Sequence, residues 1–140
     1  MGEEARGAGL VSGAGRGDVE VIRLAARGAR TAGDVAITRG TVLGNPFIMR
    51  GEGERDEAVA CYARLLRGGD VYALARESGL AIHEASARVK HSSRLHAVGA
   101  LAERAAAGER LRLVCACAPR LCHGHVLKAW IEDARAGAAW

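Results

Sequence analysis

Large rings are scarce in this chain: aromatics make up 4% of it, supplied by Phe47, Tyr62, Tyr72, Trp130 and Trp140. A core with so few rings has to be close-packed from Leu, Val, Ile and Ala, and a hydrophobic content of 49% allows that. Proline is scarcer still, at Pro46 and Pro119 only, so each marks a fixed point in the backbone. No apolar run approaches the ~20 residues of a membrane-spanning helix. Nor is there a secretory pattern, because the glycine-rich start Met1–Gly17 holds only one short apolar pair, Leu10–Val11. Met1-Gly2 begins like a myristoylation signal, but Arg6 stands where Ser or Thr is required. Walker and G-x-S-x-G motifs are both absent. These absences lead us to expect a soluble, cytoplasmic chain whose thiols stay reduced.

Charge is muted as well. The net value is +4, from 20 Lys plus Arg against 16 Asp plus Glu. That surplus is dispersed and nearly all arginine, so it permits a small anionic or nucleotide-like ligand. Nucleic acid is only weakly supported, since no long basic stripe runs along the chain. At 140 residues the length suits one compact domain, here expected over 18–140 behind a flexible tail at 1–17. "GAGLVSGAGRG" within that tail resembles a dinucleotide loop superficially, but no strand precedes it and no helix follows.

Beyond the tail, Val19–Ala25 and Val35–Thr38 read as strands, the second running into a loop marked by Gly40, Gly44 and Pro46. Asn45 has to be extended ahead of Pro46, which holds its carboxamide in a rigid turn. Glu54–Arg67 is the clearest helix, with Ala58, Val59, Tyr62, Leu65 and Leu66 on one face and acids in its first turn. Gly68–Gly69 stops it, and Asp70 caps a shorter helix ending near Gly79. From Ala81 the pattern stays helical through Ala105, broken or turned at "KHSS" (Lys90–Ser93). Arg110–Cys117 reads as a buried strand ended by Pro119, and Cys122–Ala136 as a closing helix. Strands alternating with helices predict a small, mainly parallel α/β sheet flanked by helices, Rossmann-like in character.

Three of four cysteines crowd into "LRLVCACAPRLCHGHVL", Leu111–Leu127. Cys115 and Cys117 lie two apart on the predicted strand and so share a face. Cys122 and His123 follow at a helix N-terminus, beyond the carboxyl end of a strand, where open α/β sheets bind ligands. Three readings stay open. Cys115, Cys117, Cys122 and His123 offer a ligand inventory for zinc, though C-x-C is not the usual knuckle spacing. Alternatively Cys122 is a nucleophile, its pKa lowered by the helix terminus, with His123 as acid/base. The third reading is that small thiols simply fill a tight strand. Elsewhere, "HEASA" at His83 lacks the second histidine of a zinc protease helix. His91 and His96 read as solvated, and Asp56 and Glu57 as first-turn helix acids.

"GNPF" (Gly44–Phe47), "GERDEAVACY" (Gly53–Tyr62) and "LVCACAPRLCHGHVL" (Leu113–Leu127) together resemble a bacterial and phage family, domain of unknown function 4326. Its members look like "YIGR…WGNPF…GTREEAIxxY…LxCWCxPxxCHGDVL", and "ITRG" places Arg39 at the family's arginine. The resemblance runs from Val19 to Ala136. Leu43 and Ala116 replace tryptophans, and His125 stands where Asp is common. Val71–His96 resembles a helical insertion, which we expect to form a homodimer contact rather than a lid. The family brings no activity with it.

Both loops follow strands, so they are expected to converge on one pocket. In the leading reading Cys122 and His123 do the chemistry there. Arg39 and Asn45 hold the ligand, and Gly44, Cys117 and Gly124 complete the binding set around a nucleotide-like or phosphorylated molecule. The alternative is a zinc-stabilised, non-catalytic module, with nucleic acid as its partner.

Overall fold

The protein is described here by a computed structural model, which covers residues 17–117 and 120–137. Three strands make a parallel sheet in the order β1-β5-β2: β1 is Val19–Arg23, β2 Asp34–Ala36 and β5 Leu111–Cys115. The register sets Val21 beside Leu113 and Arg23 beside Cys115, with Val35 on the other side of Leu113. A second, antiparallel pair joins β3 (Phe47–Ile48) to β4 (Ala81–Ile82). The expected parallel α/β sheet is therefore present. No helix joins β1 to β2, however, as a Rossmann-like half would require; the connection carries only a 3₁₀ turn at Leu24–Ala26.

Period-two burial along β5 explains the layering. Leu111, Leu113 and Cys115 are buried toward one face, and α5 (His123–Arg135) packs there. It comes so close that a Cβ on Gly124 would stand 2.8 Å from Val21 Cγ1 and 3.0 Å from Ile37 Cδ1. Gly124 thus works as a spacer between helix and sheet. Leu127 and Ile131 continue the same stripe at helical spacing, both fully buried. On the opposite face Arg112 crosses to Asp34 through Nε (2.6 Å) and Nη2 (3.0 Å), and also donates to the carbonyls of Arg27 and Ala29. That guanidinium holds the Asp34 carboxyl well below the usual carboxylate range.

The helix α1 (Arg55–Leu66) buries Ala58, Tyr62, Leu65 and Leu66 as its spacing predicts, with Asp56 and Glu57 exposed in its first turn. Asp70 caps α2 (Val71–Ser78) by accepting from the Ala73 N–H at 2.9 Å, and Gly79 ends it in a left-handed conformation at φ 76°. The expected helix from Ala81 is corrected here. Ala81–Ile82 is strand, drawn out of helix by pairing with β3 and by the His83 N–H donated to the Pro46 carbonyl. Helix returns as α3 (Glu84–Ala87), capped by the His83 side chain, and after Lys90 as α4 (His91–Ala106). His91 and His96 are exposed, as expected.

Residues 71–96 pack into the same core. Val71, Leu74, Leu80 and Ala87 are buried within their own chain, leaving Tyr72 as the segment's one exposed large apolar side chain. Buried Arg94 donates to the Ser86 carbonyl at 2.7 Å, and the Ser86 hydroxyl accepts the Gly40 N–H. This segment therefore braces the loop after β2. Residues 1–16 of the expected tail lie outside the described residues, as does Pro119. Gly17 itself is buried and donates to the Ala105 carbonyl at 2.7 Å.

Replacing Gly124 with Ala should cost about 1–3 kcal/mol, since the new methyl overpacks a helix–sheet contact of β-branched side chains. Urea denaturation measures this; an unchanged midpoint would show that the helix lifts off the sheet without penalty.

Candidate functional site

Thr38–Gly44 leaves β2 in two tight turns. Thr41 N–H donates to the Thr38 carbonyl, and Gly44 N–H to that of Thr41. A Cβ at Gly44 would lie 2.6 Å from the Thr38 oxygen, so Gly44 lets the loop fold back on itself and positions Arg39. Asn45 then uses its side-chain oxygen to accept the Phe47 N–H at 2.9 Å, an Asx turn that seats Phe47 in the core.

The cysteine loop arrives at the same place. A cavity of about 320 Å³ is lined by Thr38, Arg39 and Asn45 from the first loop and by Cys115, Cys117, Cys122 and His123 from the second. Phe47, Met49, Ala58, Val59 and Leu121 supply its apolar wall. The predicted convergence of the two loops holds. Gly44 and Gly124 act behind the wall, by close packing, and neither borders the cavity.

His123, the first residue of α5, is 7% exposed. Its Nε2 lies 2.7 Å from the Ile37 carbonyl, and a carbonyl only accepts, so Nε2 carries the proton. The Tyr62 ring meets the imidazole edge-on at 4.9 Å, while the Tyr62 hydroxyl donates to the Leu43 carbonyl at 2.8 Å. Burial pushes the His123 pKa down to about 4, against the Ile37 carbonyl, with the Arg39 charge adding to the fall. The imidazole is neutral, and its protonated nitrogen is committed to Ile37. Its geometry suits positioning better than acid/base work.

Cys122 is the N-cap of α5, as expected from the sequence. Its backbone N–H donates to His125 Nδ1 at 3.1 Å, so His125 does the reaching back that an acidic residue at that position performs in a capping box. The surroundings of Cys122 oppose the expected lowering of its pKa. Its Sγ lies 3.4 Å from Cys115 Sγ, both sulfurs are buried, and this contact together with desolvation drives the thiol strongly upward. Two thiols this close cannot both ionise, and the partial charge of one helix end is too small to reverse that. The strand reading of the C-x-C also changes. β5 stops at Cys115, so Cys117 reaches the cavity from the loop beyond it, partly exposed.

Among the described residues no group of three or more His, Cys, Asp or Glu side chains is arranged to hold a metal ion. His123 is engaged with Ile37, and Cys115 with Cys122. The zinc set Cys115, Cys117, Cys122 and His123 therefore shares a cavity without converging as ligands.

Arg55 is the residue that sequence reasoning missed. It is 7% exposed at the start of α1 and lines the cavity. Its guanidinium pairs with Glu52, donates to the Leu121 carbonyl at 2.9 Å and comes within hydrogen-bonding reach of the Cys117 thiol. A signal existed: an arginine in a helix first turn opposes the macrodipole and needs another reason to be there.

Stability should fall as pH drops from about 6.5 toward 4, by at most about 3 kcal/mol from His123. The unfolded imidazole takes up a proton near 6.5 while the folded one resists until about 4, so the unfolded state binds more protons across that window. Denaturation at several pH values should show the slope, and His123→Gln should remove it. Carboxylates such as Glu52, held below their usual range by Arg55, add to the slope below about pH 5, so the His123 contribution is read between about pH 6.5 and 5. Limited iodoacetamide treatment of the native protein should modify Cys117 ahead of Cys61, Cys115 and Cys122, which are at most 3% exposed. Peptide mapping that found Cys122 labelled first would restore the activated-nucleophile reading.

No helix among the described residues is long and apolar enough to cross a membrane. No curated protein and no solved structure matches the chain. The model of the family described as Domain of unknown function (DUF4326) matches residues 22–133, which span both loops, α1 and the cysteine cluster, and the chain belongs to that family.

Proposed function

We propose that this domain binds a small anionic molecule, nucleotide-like or phosphorylated, in the cavity between the two loops. The observation that carries the reading is the placement of two guanidinium groups, Arg39 and Arg55, on one largely apolar cavity. Arg55 is neutralised and fixed by Glu52; Arg39 is exposed and is left to meet an anion. The cavity's volume sits at the small end of the range for small-molecule sites, about 300–1,000 Å³. Phe47, Met49 and Leu121 provide the apolar surface against which a base or sugar would lie, and Thr38 a polar contact beside Arg39.

Binding is favoured over thiol catalysis, because the Cys122 sulfur is buried against Cys115 and the His123 N–H is committed to the Ile37 carbonyl. The zinc-held nucleic-acid module has less support, since its ligands do not converge. A homodimer through residues 71–96 also has less support, since the apolar stripe of that segment is already buried within its own chain. We place the protein in the cytoplasm on its cysteine usage alone.

Melting-temperature and calorimetric titrations with AMP, ribose 5-phosphate, inorganic phosphate and adenosine test the reading. A phosphorylated compound should bind, and Arg39→Ala should weaken it about 10-fold or more, the scale of one charged hydrogen bond. If adenosine bound as well as AMP and Arg39→Ala changed neither, the anion-site reading would be wrong.

A further inference from the structure

Two of the cavity's sulfurs stand in a relation that ligand binding does not require. Cys115 closes β5 and Cys122 caps α5, and their Sγ atoms are 3.4 Å apart. A disulfide needs about 2.05 Å, so the gap to close is roughly 1.4 Å. Each sulfur swings on an arc about its own Cα–Cβ bond, so opposed rotations of the two side chains shorten the gap. Both residues also line the cavity, so a small oxidant can approach them although they are only 1% and 3% exposed. Cys61 shows the contrast. It is equally buried, on α1, but its thiol faces Glu57 at 3.6 Å and it does not border the cavity.

We infer that Cys115 and Cys122 form a reversible dithiol–disulfide site, oxidised by a peroxide that enters the cavity. In the first step one sulfur, as thiolate, attacks a peroxide oxygen and the O–O bond breaks. The departing oxygen takes up a proton and leaves as water, and the sulfur is now a sulfenic acid. In the second step the neighbouring thiol attacks that sulfur and the S–O bond breaks. The hydroxyl leaves as water with the second thiol's proton. Two thiols and one hydrogen peroxide thus give one disulfide and two waters, with two electrons passing from the sulfur pair to the peroxide. An external dithiol reverses the reaction by exchange. Burial and the neighbouring sulfur raise the Cys122 thiol, so the first step is slow, and the second, across 3.4 Å, is fast. This site stands independently of the anion-binding reading.

The test treats the full chain and its Cys117→Ser variant with hydrogen peroxide, then compares intact masses with and without dithiothreitol. Both proteins should lose two hydrogens as monomers, and dithiothreitol should restore them. Peptide mapping of Cys117→Ser without reduction should join the peptide holding Cys115 to that holding Cys122. Cys122→Ser should lose the mass change. The inference is overturned if Cys117→Ser gains oxygens without losing hydrogens, if the bond maps to Cys61, or if only intermolecular disulfides form. Because Cys117→Ser leaves both members of the pair in place, the result does not depend on whether Cys122→Ser folds.

Discussion

The N–H that His123 gives to the Ile37 carbonyl joins the first turn of α5 to the end of β2 across 2.7 Å of buried space. Around it the Tyr62 ring closes edge-on from α1, and the Tyr62 hydroxyl holds the Leu43 carbonyl of the same loop. Four parts of the chain meet there, and the His123 Nε2 proton and the Tyr62 hydroxyl are each taken by a carbonyl of another part. In a buried setting such bonds matter more for the cost of losing them than for their net gain, because an orphaned carbonyl or imidazole forfeits its solvation. The loop carrying Arg39 and the loop carrying Cys122 are consequently held in register with each other.

From that junction the cavity's electrostatics follow. Arg55 enters the wall at the unfavourable end of α1, and Glu52 and the Leu121 carbonyl make its burial tolerable. Its planar fork ties the 3₁₀ turn before α1 to the segment just before Cys122. Among the described residues Arg39 has no such tether, and it is exposed. One cation is therefore paired and buried and the other exposed, a division invisible in a count of charges.

The thiols show how contact overrides position. An N-cap cysteine alone would be acidified by the helix end, but a second buried sulfur 3.4 Å away reverses the sign. That contact opposes the acidity that a helix terminus alone would give Cys122 and makes Cys115 and Cys122 a buried sulfur pair. His125 meanwhile takes over the capping of the Cys122 N–H, so the helix start is ordered without a carboxylate.

Local signals made much of this legible in the chain itself. Helical spacing with flanking acids marked α1, Asp70 and Gly79 bracketed α2, and the Cys122–His123 junction marked the start of α5, because caps and periodicity act within a few residues. The convergence of "GNPF" with the cysteine loop was legible too, since parallel strands present their carboxyl ends on one side. Tertiary structure decided the rest. Ala81–Ile82 became strand because β3 needed a partner, which no local propensity announces. Gly44 and Gly124 proved to be spacers, since their role depends on what lies across from them. Arg55 joined the site, and Cys122 lost its acidity, through neighbours far off in sequence or folded in from another element. Charge, burial and distance are properties of the packed molecule, and those three quantities set the chemistry of the cavity.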